Sequence, residues 1–265
     1  MTYLGVCGWP VAHSRSPQMH NAALAALGLE DWRYLRLPLP PELFAETVRA
    51  LPAAGFRGVN VTIPHKEAAL AVADHASEAA RAIGAANTLT FEEGAIHADN
   101  TDAPGLLTAL GEDPAGRTAL VLGAGGAGRA AAWALREAGA EVTVWNRTPE
   151  RARALAADLG VRATEAPGPA DIIVHCTSVG LKDPPATFKA LPIAADDLRA
   201  GSLVVDMVYR DGDTRLLEAA RTRGTRVVDG LGVLVAQGAA SLERWTGREA
   251  PREAMREAAT TIADT

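Results

Sequence analysis

The sequence predicts an α/β protein of two domains, the second built on a doubly wound, mostly parallel sheet. Three observations predict it. Apolar strand-like runs alternate with helical stretches along the chain. A glycine pattern, Gly123-x-Gly125-x-x-Gly128, falls between one such strand and the helix after it. The punctuation of the alternation changes near residue 102, and 265 residues suffice for two modest cores.

Taken in order, residues 3–8 (YLGVCG) and 32–37 (WRYLRL) read as strands, with a helix from about Pro17 to Leu27 between them. Pro41 opens another helix. Residues 58–63 (GVNVTI) form a strand, which Pro64 ends as it starts the helix HKEAALAVAD. Residues 88–99 (TLTFEEGAIHAD) read as a hairpin turning at Glu93-Gly94. Further strands fall at 118–122, 141–145, 171–176, 202–208 and 225–229. Helices lie between them: AAAWALREAG after the glycines, Thr148-Pro149 through about residue 159, and 213–224. From about Val233 the chain is helical with no strand left to pair, so it is expected to cross back to the first domain. The expected domains are 1–102, completed by helices at about 235–265, and 103–234.

Composition narrows the function. Hydrophobic residues make up 48% and aromatics only 5%, so the cores should be mostly Ala, Leu and Val. The net charge of −6 is spread without long runs of one sign, which argues against a nucleic-acid footprint. No apolar stretch reaches the roughly 18 residues of a membrane span. The N-terminus lacks a basic segment followed by an apolar core, so a soluble cytoplasmic protein is expected. Cys7 and Cys176 lie in apolar runs and read as buried free thiols in preference to a disulfide, and no Cys/His cluster has metal spacing. Lysine is scarce: only Lys66, Lys182 and Lys189. The five Asn and two Gln are equally spare, so these types mark places where Arg, Asp or Glu does not serve. Arg and Lys differ most where a group must give up a proton.

The glycine pattern predicts a dinucleotide site. Gly123 permits the tight turn, Gly125 lets the backbone approach a pyrophosphate, and Gly128 lets helix and strand pack closely. With Gly126 and Ala127 between them, the helix start presents free N–H groups to the phosphates. About 20 residues on, where NAD-binding folds place an acid, the chain has Asn146-Arg147-Thr148. A carboxylate there repels a 2′-phosphate, whereas Asn tolerates it and a guanidinium pairs with it. Arg151 and Arg129 add charge nearby. The preferred cofactor is therefore NADP.

The segment Gly58-Val59-Asn60-Val61-Thr62-Ile63-Pro64-His65-Lys66 carries the chemistry. Alternation sets Asn60 and Thr62 on one face of a strand and Val59, Val61 and Ile63 on the other. Lys66 falls in the first turn of the next helix, where the dipole disfavours a cation and so favours proton exchange. Asp102, in Asp99-Asn100-Thr101-Asp102, can accept from Lys66 or from a substrate hydroxyl, or can cap the helix that follows. Asn87 opens a strand. Ser16 before Pro17 looks like a helix cap, while Ser14 has less structural reason to be there.

These motifs, in this order and from end to end, resemble the shikimate dehydrogenase family. The shared elements are Ser14-x-Ser16-Pro17, Asn60-Val61-Thr62-x-Pro64-x-Lys66, the Asn87-Thr88 segment, Asn100-Thr101-Asp102, the glycine loop leading to Arg129, Asn146-Arg147-Thr148 and the late Gln237. The resemblance implies an N-terminal α/β substrate domain and a Rossmann-like NADP domain. It implies NADPH-dependent, reversible reduction of 3-dehydroshikimate to shikimate, in aromatic amino acid (chorismate) biosynthesis, by a monomer or homodimer that binds neither nucleic acid nor membrane. Lys66 and Asp102 are then the catalytic pair, and Ser14 and Ser16 bind the substrate carboxylate. Asn60, Thr62, Asn87 and Gln237 bind ring hydroxyls, the carboxylate or neighbouring polar groups, and Tyr209 helps hold the substrate from the cofactor domain. Asn146, Arg147, Thr148 and Arg151 hold the adenosine end of the cofactor, and Thr177 and Gly230 lie along it. No metal is implied.

Two positions depart from the family. His175 stands where Asn is usual, and Val233-Leu234 replaces the common Met-Leu. A quinate dehydrogenase on the same plan and a non-catalytic ligand sensor remain alternatives. The Asn146-Arg147-Thr148 run disfavours the NAD preference common in the first, and the intact Lys66 and Asp102 disfavour the second.

Overall fold

The computed structural model describes residues 1–181, 186–210 and 212–261, which leaves the last four residues of the expected C-terminal helical segment outside it. The chain divides into two compact units, Met1–Gly105 with Leu234–Thr265, and Leu106–Val233.

The first unit begins with β1 (Thr2–Gly8), α1 (Ser16–Ala26) and β2 (Trp32–Pro38). A short 3-10 turn at Pro41–Leu43 leads into α2 (Phe44–Ala50), then β3 (Phe56–Val61) and α3 (Lys66–Val72). There follow β4 (His75–Ala76), α4 (Glu78–Ile83), β5 (Thr88–Glu92) and β6 (Ala95–Asp99). The sheet order is β2-β1-β3-β5-β6-β4. β1 pairs in parallel with β2 and β3, whereas β5 is antiparallel to both β3 and β6. The hairpin turns at Glu93 and Gly94, both at positive φ (50° and 81°), which matches the strands' twist. Its core gathers Cys7, Phe44, Val48, Val59, Val61, Ala69, Leu89 and Phe91. β3 stops at Val61, earlier than its composition predicts, and Ile63 is 60% exposed rather than part of an apolar face.

The second unit follows α5 (Asp102–Leu110), which leads into it. It contains β7 (Thr118–Leu122), α6 (Gly126–Glu137), β8 (Glu141–Trp145), α7 (Pro149–Leu159) and β9 (Arg162–Ala163). Then come β10 (Ile172–His175), α8 (Thr187–Ala190), β11 (Leu203–Asp206), α9 (Arg215–Thr222) and β12 (Arg226–Val228). All pairings are parallel, in the order β9-β8-β7-β10-β11-β12. This is the doubly wound arrangement, and its order reverses between β7 and β10. Alternate residues of β7 serve two cores. Ala119 and Val121 join Leu135, Val144 and Leu155 on one face, while Leu120 and Leu122 join Ile173, Leu216 and Leu217 on the other.

β10 and β11 are shorter than their apolar runs. Beyond Asp206 the Val208 N–H turns to the Asp206 carboxylate at 3.0 Å, which ends the strand. Thr214 caps α9, accepting from Leu217 N at 3.3 Å. The two-residue strands β4 and β9 were too short to show a period. The chain ends with α10 (Gly230–Thr246) and α11 (Arg252–Thr260). Within the first unit, Trp245 donates to Leu89 O at 3.1 Å and Arg15 to Ala259 O at 2.8 Å, which ties these helices to β5 and α1. Among the described residues, no helix is long and apolar enough to cross a membrane.

Candidate active site

Lys66 is the first residue of α3, and Asp102 the first of α5. Asn100 Oδ1 accepts the Asp102 and Ala103 N–H groups at 3.1 and 3.3 Å, so the Asp102 carboxylate is not spent on capping. One of its oxygens accepts from the Lys66 ammonium, and the other accepts from Asn87 Nδ2 at 2.9 Å. The carboxylate offsets the unfavourable dipole at the start of α3. Both side chains are only 12% exposed, so the pair sits in low dielectric and depends on these extra bonds.

Asn87 is itself fixed. Its Oδ1 accepts Thr101 N at 2.7 Å, and its Nδ2 lies 3.2 Å from Gln237 Oε1. A Cβ on Gly105 would stand 2.8 Å from the Gln237 backbone, so α5 and α10 meet here and deliver Gln237 to the cluster. Behind it, Asn60 Nδ2 donates to Ser241 Oγ at 2.8 Å, and Asn60 Oδ1 accepts from Tyr34 OH at 2.8 Å. The Asn60 amide is thus engaged at both ends inside the protein, with Thr88 Oγ1 3.2 Å from its Nδ2. Tyr34 and Ser241 belong to this network and carry no local motif that could have revealed them.

Ser14 lies in the loop after β1 and Ser16 at the start of α1, both buried. Ser16 is the first helical residue of α1, not its cap, and Ser14 Oγ accepts the Ser16 N–H at 3.3 Å. The N-cap position of α1 falls on Arg15 and carries no side-chain cap bond, so Ser16 does not take the capping part the sequence suggests. Arg36 donates to Ser14 O at 2.8 Å and brings a positive charge to this loop. Thr62 follows the adjacent parallel strand, with its N–H on Cys7 O at 2.9 Å. Both loops leave the C-terminal ends of neighbouring strands, the usual place for ligands in α/β sheets.

In the second unit, Gly123 adopts φ of 119° and donates to Trp145 O at 2.7 Å. A Cβ on Gly128 would lie 2.0 Å from Gly123 O, so only glycine permits this approach of helix and strand. Gly125 precedes α6 with no side-chain cap, and a Cβ there would meet nothing within 4 Å. Gly125 is exposed and Gly126 and Ala127 are partly exposed, so the start of α6 presents first-turn N–H groups without a side-chain cap, which fits a phosphate. Asn146 Oδ1 accepts Ala124 N at 3.1 Å and its Nδ2 donates to Thr148 O at 3.0 Å, stapling the glycine loop to the turn after β8. Arg147 and Thr148 are exposed, and Thr148 makes no side-chain cap bond to α7. Among the described residues Arg147 and Arg151 form no ion pair, whereas Arg129 is paired with Asp158 at 2.9 Å. No carboxylate occupies the turn at 146–148. These groups fit the 2′-phosphate of NADP.

Thr177 follows β10, Tyr209 follows β11 and is partly buried, and Gly230 begins α10. Among the described residues neither cysteine forms a disulfide. Cys7 is buried, which pushes its thiol up to about 12, while Cys176 is only partly buried. Among the described residues, no group of three or more His, Cys, Asp or Glu could hold a metal ion.

A doubly wound unit with an open glycine loop, joined to an α/β unit carrying a nearly buried lysine–aspartate pair, defines a nicotinamide-dinucleotide oxidoreductase. Residues 6–89 match the family model described as shikimate dehydrogenase substrate binding domain. Residues 107–179 match shikimate / quinate 5-dehydrogenase, and 230–260 the shikimate 5′-dehydrogenase C-terminal domain. The chain belongs to the shikimate dehydrogenase family. It is 49% identical over 263 residues to the shikimate dehydrogenase (NADP(+)) of Thermus thermophilus, covering 98% of each chain. It is 46% identical to that of Acidiphilium cryptum, covering 92% and 90%. The Thermus thermophilus shikimate 5-dehydrogenase structure in complex with NADP(H) and shikimate superimposes with a TM-score of 0.90 at 47% identity, covering 98% of each chain. A ligand-free 5-ketofructose reductase of Gluconobacter gives 0.86 at 33% identity, covering 97% of each.

Proposed function

We propose that the chain catalyses the NADP-dependent, reversible reduction of 3-dehydroshikimate to shikimate, with the first unit receiving the substrate and the second the cofactor. The observation that carries this reading is the Lys66–Asp102 pair, nearly buried and held in place by Asn87. Relatives named as NADP(+) shikimate dehydrogenases, matched along almost their whole length, support it.

When bound, NADPH supplies the hydride that reduces the ketone carbon. Lys66 holds a proton at Nζ and gives it to the ketone oxygen as negative charge develops there. In the reverse direction the amine takes the hydroxyl proton. Asp102 orients the ammonium and stabilises its charge, and Asn87 keeps the carboxylate from rotating away. Gln237, Thr62, Ser14 and Ser16 bind the polar edge of the substrate, with Arg36 favouring its carboxylate. Asn60 serves this surface from behind, since both ends of its amide are engaged. We assign Tyr209 to the substrate and Thr177 and Gly230 to the cofactor. The N–H groups at the start of α6 hold the pyrophosphate, while Arg147, Thr148 and Arg151 hold the 2′-phosphate.

Initial rates with shikimate and quinate, each with NADP and NAD, test the proposal, with 5-ketofructose and NADPH as a further pair. Shikimate with NADP is expected to give the largest kcat/KM. A larger value for any other pair, or no activity with all of them, overturns it.

A further inference from the structure

The C-terminal edge of the second sheet holds two side chains that the mechanism does not use. His175 ends β10 and Asp206 ends β11, opposite one another in the parallel register. Both are fully buried, at 0% and 1% exposure. His175 Nδ1 lies 2.8 Å from Asp206 Oδ1, and Nε2 lies 2.6 Å from Thr177 Oγ1. An ionised carboxylate only accepts, so Nδ1 carries the ring hydrogen. In the neutral ring Nε2 is then an acceptor, and the Thr177 hydroxyl donates its hydrogen bond to it. Thr177 Oγ1 in turn accepts the Val179 N–H at 3.1 Å. The Thr177 hydroxyl is fixed in place and in direction.

Asp206 extends the same control. Its Oδ1 also accepts Val208 N, and its Oδ2 accepts the Thr214 hydroxyl at 2.5 Å. One carboxylate therefore anchors both the segment after β11 and the start of α9. The segment after β11 in turn supports the start of α10 at Gly230. A Cβ on Gly123 would lie 3.0 Å from Thr177 Cγ2 and 3.2 Å from the Cys176 backbone, so residues 176–177 back the glycine loop. A Cβ on Gly230 would come within 2.8 Å of Met207 O and the Val208 backbone, so α10 starts on the segment that Asp206 anchors. The loops at 123 and 177 leave β7 and β10, the two strands between which the sheet order reverses. A fully satisfied buried polar network specifies one arrangement of the loops around it.

We infer that His175, through Asp206 and Thr177, is a positioning residue that sets the affinity of this unit for its dinucleotide. The inference rests on the reading of the unit as the NADP site. Removing the ring leaves the Asp206 acceptor and the Thr177 hydroxyl without their partner and frees residues 176–177 to move.

Titrating NADPH by its fluorescence into the wild-type chain and into His175→Leu, His175→Gln and Thr177→Val tests this, with melting temperatures recorded for each. Glutamine offers an N–H to Asp206 and a carbonyl to Thr177, as the neutral ring does. His175→Leu is expected to raise the NADPH Kd roughly tenfold, as loss of a buried hydrogen-bond partner does, while His175→Gln stays within about threefold. An unchanged Kd in His175→Leu, or a Gln variant as weak as the Leu one, overturns the inference. Should His175→Leu not fold, Thr177→Val decides: it removes one hydroxyl and keeps the ring, and an unchanged Kd there overturns the inference too. A wild-type chain that binds shikimate but no NADPH sinks the assignment of the unit, and this inference with it.

Discussion

The Asn100 side chain, and not that of Asp102, accepts the first free N–H groups of α5, 3.1 Å from Asp102 N and 3.3 Å from Ala103 N. Asn100 also donates to Ala85 O at 2.9 Å, which fixes the cap to the chain just before Asn87. The carboxylate next to it is thereby left to Lys66 and Asn87. Replacing Asn100 by Ala is expected to lower stability by about 1–2 kcal/mol in urea unfolding, the usual worth of a cap. It should also lower kcat, because Asp102 then turns to the open N–H groups. A variant that loses stability but keeps the wild-type kcat would separate cap from chemistry and refute this coupling.

Lys66→Ala removes the proton donor. The expected loss in kcat is about 10²–10⁴-fold, with the shikimate KM within a few-fold of wild type. Asp102→Asn keeps the shape and the Asn100 cap but removes the charge that stabilises the ammonium, so it too should act on kcat. Steady-state kinetics at saturating NADPH read both. A large rise in KM with kcat intact would recast Lys66 as a binding residue.

Arg147 is exposed and carries no ion pair among the described residues, so a 2′-phosphate is a partner it gains without losing another. Arg147→Ala should raise the KM for NADPH by roughly tenfold, the worth of a charge-assisted hydrogen bond, and leave that for NADH nearly unchanged. Equal changes with the two cofactors would remove the assignment.

His20 should make the fold sensitive to acid. Its ring is fully buried, stacks on Tyr34 at 4.2 Å between centroids, and among the described residues has no hydrogen-bond partner on either nitrogen. Burial lowers its pKa from 6.5 to about 3. Between those values the unfolded chain binds a proton that the folded chain does not. Its contribution is therefore fully present above pH 6.5 and is lost progressively as the pH falls towards 3. His20→Phe keeps a flat ring against Tyr34 and removes the titration. Urea unfolding at several pH values across that window should give a shallower decline for the variant. Parallel curves for the two proteins would show that His20 plays no such part.

Much of the fold was legible because its signals are local. Thr118–Leu122 and Glu141–Trp145 are apolar runs bounded by turn residues, and Glu93-Gly94 carries its turn type in two residues. Strand ends at Val61 and Asp206 were not legible. One depends on how the Thr62–His65 turn leaves the sheet, the other on a side chain that takes a backbone N–H from the ladder. The scarce polar residues Lys66, Asn60 and Asn87 stood out from the sequence alone, and Asp102 and Gln237 through the motifs they share with the family.

Which of them meet was decided only in three dimensions. Asn87 and Gln237 are 150 residues apart, and Asn60 and Ser241 are 181 apart. Backbone preference acts over a few residues and cannot choose such partners. Packing of α10 against α5 and β5 chooses them, and with them which amide faces a carboxylate and which becomes a buried strut. The sequence by itself determined the alternation of strands and helices, the phosphate-receiving loop and the kinds of side chain available for catalysis. Tertiary structure alone released Asp102 from capping, enlisted Tyr34 and Ser241, and joined His175 to Asp206, because each of these depends on a neighbour that local sequence does not specify.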